Sequence, residues 1–148
     1  MSHVFDTKLV VLDLDALSKA CESISMELVL NQKNYKWYGH HVGDYPLPAG
    51  FSASDMGRCD HVLRIKGNRT AYEVGVCKRR DGQEGYTLIY DFWAGGHGLE
   101  SVIGDKGKTL KQSYQEQVIR KKLELKGLRG ITRRVLEDGR IAVLYQGR

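Results

Sequence analysis

Between His61 and Val76 apolar residues recur at every second position in two runs that meet at Gly67-Asn68. A period of two marks a strand with one buried face, and glycine at the first turn position suits a type II′ hairpin. Pairing Lys66 with Arg69 predicts Leu63, Ile65, Tyr72, Val74 and Val76 on a core face. Arg64, Ala71, Glu73 and Gly75 then fall on a polar face.

The neighbouring segments extend this pattern. Thr7 to Leu12 is apolar and β-rich, and it runs into Asp13, an N-cap residue ahead of Leu14, Leu17, Ala20, Cys21 and Ile24. Those five positions share one stripe, so a strand and then a helix of about three turns are predicted. Met26 to Tyr38 holds another strand, interrupted by Asn31, Lys33 and Asn34, and Tyr86 to Trp93 reads as a further one. Thr109 with Gln112 three places on has the capping-box pattern, and Gly127 closes a helix of about four turns. The last segment reads as a hairpin turning at Glu137-Asp138-Gly139, with Ile131 opposite Tyr145, Arg133 opposite Val143 and Val135 opposite Ile141.

The expectation is a single α+β domain over residues 1–148, a mostly antiparallel sheet of about five to seven strands with two helices, in the order β-α-β-β-β-β-α-β-β. At 148 residues, 41% hydrophobic and 28% charged, the chain is long enough to bury a core without metal or disulfide. No apolar run reaches the roughly 20 residues needed to span a bilayer, and the start lacks a basic region followed by an apolar stretch, so a cytoplasmic protein is expected. Cys21, Cys59 and Cys77 show no paired spacing and read as reduced thiols. Both prolines, Pro46 and Pro48, lie in a flexible loop predicted over about 42–58.

No catalytic residue or cofactor is predicted. His40, His41, Cys59 and His61 offer nitrogen and sulfur ligands, but their spacing matches no compact zinc site and packing accounts for them, so no metal is expected. Asp91 and His97, separated by the glycines of 95–96, have the chemistry of a general acid–base pair; they also suit a strand end and a turn. Ten basic residues stand against three acids from Asp105 to Arg134. Lys108, Lys111, Arg120, Lys122, Arg133 and Arg134, with Trp93 for stacking, are the residues of a nucleic-acid reading; a solvated lysine-rich helix has the same sequence. On the second helix Leu110, Tyr114, Val118 and Leu125 form a core stripe. Ile119 and Leu123 lie nearly opposite and, with Lys121 and Lys122, make a candidate partner-binding face.

The opening Met1-Ser2-His3, Asp13-Leu14-Asp15-Ala16-Leu17, Tyr38-Gly39, Tyr72-Glu73-Val74-Gly75-Val76, Tyr86 to Asp91 and Glu137 to Ile141 occur in an order that resembles one family over nearly the whole chain. It is the family of conserved hypothetical chloroplast reading frames, a domain of unknown function found in cyanobacteria, red-algal plastids, other bacteria and phages. The loop over 42–57 is longer here, and Gly95 to Gly98 replaces a more aromatic stretch. The resemblance implies an adaptor or accessory role beside an AAA-type ATPase. A non-catalytic binding protein is therefore the leading expectation, with nucleic-acid binding and a small metal-dependent or nucleotide-related enzyme as the alternatives.

Overall fold

The computed structural model describes residues 2–41, 43–135 and 141–147, with side chains as far as residue 127. Five strands, β1 (Val4–Asp6), β2 (Met26–Leu30), β3 (His61–Ile65), β4 (Val74–Lys78) and β5 (Tyr86–Asp91), form one antiparallel sheet in the order β1-β5-β4-β3-β2. Helix α1 (Leu14–Ser23) follows β1, while α2 (Leu99–Ile103) and α3 (Lys108–Leu125) follow β5. Strands β6 (Leu128–Val135) and β7 (Ile141–Gly147) form a separate two-stranded sheet. The expected α+β architecture and strand–helix order hold, with a third, five-residue helix added.

Asp13 caps α1 as predicted, its carboxylate accepting the Ala16 N–H at 3.1 Å. The strand before it sits earlier than expected. Lys8 adopts a left-handed φ of 63°, and its N–H and that of Leu9 turn to the side chains of Asp6 and Thr7, which ends β1 at Asp6. Beyond this break only Val11 pairs, with Tyr86.

The β3–β4 register also differs. Leu63 pairs with Val74, two residues on from Tyr72, which keeps the apolar face but lengthens the connection. Asn68 is the cause: its side-chain oxygen accepts the N–H groups of Thr70 and Ala71, while Tyr72 and Glu73 donate to Gly96 and Lys36 instead of the hairpin. Helix α3 begins at Lys108 behind a left-handed Gly107, one residue before Thr109, and no capping box forms there. Gly127 closes it as predicted, donating to Glu124 at 3.0 Å.

Both faces of the sheet are buried, which corrects the expectation of a polar side. Met26, Leu63, Val74, Val76, Leu88 and Tyr90 pack under α1, α2 and α3. On the other face Val4, Val62, Cys77 and Ile89 are covered by Tyr35, Phe51 and Met56 from the long segment after β2. Gly75 makes that cover fit: a Cβ there would lie 2.5 Å from Tyr35 Cδ1. Burying a side chain such as Leu17 or Leu63 stabilises the fold by about 1.5–3 kcal/mol.

In the terminal hairpin Arg133 pairs with Val143 and Val135 with Ile141, the predicted register. Gly130 rather than Ile131 stands opposite Tyr145, because a bulge intervenes between Gly130 and Thr132. The turn at Glu137-Asp138-Gly139 lies outside the described residues.

Candidate docking groove

The segment Leu9–Asp13 lies along α3. Its residues alternate: Leu9 and Val11 point into the core, so Val10 and Leu12 point out. Tyr114, two turns before Lys121 on α3, holds the segment in place, its hydroxyl oxygen accepting the N–H groups of Leu12 at 3.1 Å and Asp13 at 3.3 Å. Lys121 Nζ reaches Asp13 at 2.7 Å and Asp15 at 3.7 Å. The hydrogen bond from Lys121, followed by that from the Ala16 N–H, holds the Asp13 carboxyl below its ordinary pKa. The same contact raises the Lys121 ammonium above its own.

Between this clamped segment and α3 runs a groove of about 810 Å³. Its apolar lining is contributed from both sides: Val10 is 41% exposed, Leu12 69%, Ile119 52% and Leu125 82%. Lys8 and Lys122 stand on its rim. Leu125, expected on the core stripe, is the most open of the four because α3 runs on past Lys121, the residue that meets the start of α1. Leu123 is half-buried and does not line the groove, whereas Ile119, Lys121 and Lys122 all do. Val10 and Leu12 are additions to the sequence-derived set. Their signal is an unbroken apolar run, Leu9 to Leu12, with only one side available for burial.

The other sequence-derived residues go elsewhere. Asp91 is fully buried, and its two oxygens accept the main-chain N–H groups of His3 at 2.9 Å, Tyr38 at 3.0 Å and Trp93 at 2.9 Å. This carboxylate ties three chain segments together. His97 is exposed, its ring edge-on to Tyr72 at 4.8 Å, in a turn whose residues Ala94 to His97 are all left-handed. His61 Nδ1 accepts the Asn31 N–H at 2.9 Å, and burial lowers its pKa. Cys59 donates to the Gln32 carbonyl at 3.3 Å, with its thiol pushed up to about 12 by burial. Among the described residues no three His, Cys, Asp or Glu side chains cluster so as to hold a metal ion, so His40 and His41 do not join Cys59 and His61 in such a group.

Of the basic residues, Lys108 and Lys111 lie in the first turn of α3 and Lys122 near its end, about 16–21 Å away. Arg120 is bonded to Glu116 at 3.0 Å. Trp93 sits against His3 at 5.7 Å, beyond the end of β5. The side chains of Arg133 and Arg134 lie outside the described residues. Among the described residues no helix is long and apolar enough to cross a membrane.

No protein-family model matches the chain, and neither a curated protein nor a solved structure does.

Proposed function

We propose that this chain is a non-catalytic binding module that receives a protein partner in the groove between residues 8–13 and α3. The partner implied by the family resemblance is an AAA-type ATPase, to which the chain would be an accessory. The observation that carries the reading is the convergence of Val10, Leu12, Ile119 and Leu125, from two distant parts of the sequence, on one concave surface. Single exposed apolar residues are ordinary, but a contiguous set with a basic rim is the composition of an interaction site. The clamp by Tyr114 and Lys121 fixes one wall beforehand, which lowers the ordering cost of binding.

The test is recovery of the ATPase from native cells with tagged wild-type, Ile119→Asp and Leu125→Asp proteins, with circular dichroism as the check on folding. Wild type is expected to recover an AAA-type ATPase, and each variant at least about tenfold less, as for a central interface residue. Equal recovery by all three proteins refutes the reading.

A further inference from the structure

We infer that the occupant of this groove is an amphipathic helix with acidic flanks, an inference that rests on the groove being the docking surface. Three observations carry it. The first concerns hydrogen bonding. Of the wall residues 8–13, the main-chain N–H groups of Lys8, Leu9, Val11, Leu12 and Asp13 are all engaged within the chain, the first two by Asp6 and Thr7, the others by Tyr86 and Tyr114. A bound strand would find almost no donors here and would leave its own main-chain groups over an apolar floor. A helix satisfies its main chain internally and presents side chains alone.

The second is length. Tyr114 to Leu125 spans about 16 Å of α3, which matches about three turns of a second helix lying alongside. Val10 and Leu12 on one wall and Ile119 and Leu125 on the other would receive an apolar stripe spaced i, i+3/i+4, i+7.

The third is charge. Lys8 rises on one wall and Lys122 on the other, and neither has an ion-pair partner among the described residues. The carboxylate that lines the groove, Asp13, is already occupied by Lys121. The uncompensated charge is thus positive on both sides of an apolar floor, and its complement is a helix with Glu or Asp flanking the stripe.

The probe is a fluorescent stapled helix of about 14 residues with leucines at i, i+4 and i+7 and glutamates on both flanks. It is compared with the same helix carrying lysine for every glutamate and with a proline-broken acidic version. Anisotropy titrations are expected to show the acidic helix binding wild type at least about tenfold more tightly than the lysine helix, with affinity falling as salt rises. The double variant Lys8→Glu/Lys122→Glu should reverse that preference. Tighter binding of the lysine helix, undiminished binding of the proline-broken peptide, or an unchanged preference in the double variant overturns the inference. So does displacement of the acidic helix by equimolar duplex DNA, which would assign the rim to phosphates. If Leu125→Asp loses the ATPase while wild type ignores the acidic helix, the docking surface stands and the assigned occupant falls. If ATPase recovery is unaffected by Leu125→Asp, the reading beneath the inference falls instead.

Discussion

The hydroxyl oxygen of Tyr114 accepts the main-chain N–H of Leu12 at 3.1 Å, so a ring on α3 determines where the exposed Leu12 side chain stands. One side chain thereby couples the two walls of the groove, and several measurable consequences rest on couplings of this kind.

Tyr114→Phe keeps the ring in the core but removes the acceptor of two N–H groups. A cost of about 1–2 kcal/mol is expected. Hydrogen exchange should localise it, with the Leu12 and Asp13 amides exchanging faster while those of β4 and β5 stay protected. Uniform loss of protection would contradict a local clamp.

Asp13 both caps α1 and faces Lys121. Asp13→Ala should cost about 1 kcal/mol through the lost cap. Asp13→Asn keeps an acceptor for Ala16 and isolates the charge. Because the folded pKa lies below the ordinary 3.8, the carboxylate contributes stability that is fully present above that value and is lost as pH falls through the lowered one. The stability difference between wild type and Asp13→Asn should therefore be full at pH 6 and close below about pH 4. Urea titrations at several pH values would show whether it does.

Gly75→Ala is expected to destabilise by about 1–3 kcal/mol, because its Cβ would meet the Tyr35 ring at 2.5 Å. The clash needs both partners, so Gly75→Ala should cost markedly less in a Tyr35→Ala background. A double-mutant cycle with no coupling would place the Tyr35 ring elsewhere.

Asp91→Asn replaces a buried acceptor of three N–H groups by an amide that presents its own N–H to one of them. A loss of about 2–3 kcal/mol in equilibrium unfolding is expected. A neutral result would show that this carboxylate is not the tie it forms in the fold.

What could be read from the sequence depended on how local each cause is. The Asp13 cap, the Gly127 stop and the register near the last turn follow from neighbouring residues, and they stand as predicted. The β3–β4 register does not, because Asn68 diverts the chain with its own side chain and Tyr72 pairs with Gly96, a distant partner. The second buried face depends on Gly75 and Tyr35, whose fit is visible only once they are apposed. The groove was half legible: helical spacing singles out Ile119, but within Leu9 to Leu12 nothing local says which residues face outward.

Strand β1 pairs with β5, and the His3 N–H that meets Asp91 is separated from it by 88 residues. During synthesis at about 5–20 residues per second, β1 must wait about 4–18 seconds for its partner strand to be made. Through that interval Leu9 to Leu12 has neither β5 nor α3 to lie against. Closure of the sheet, and with it the appearance of the groove, therefore has to follow the synthesis of both β5 and α3, so the two walls of the site are made well apart in time.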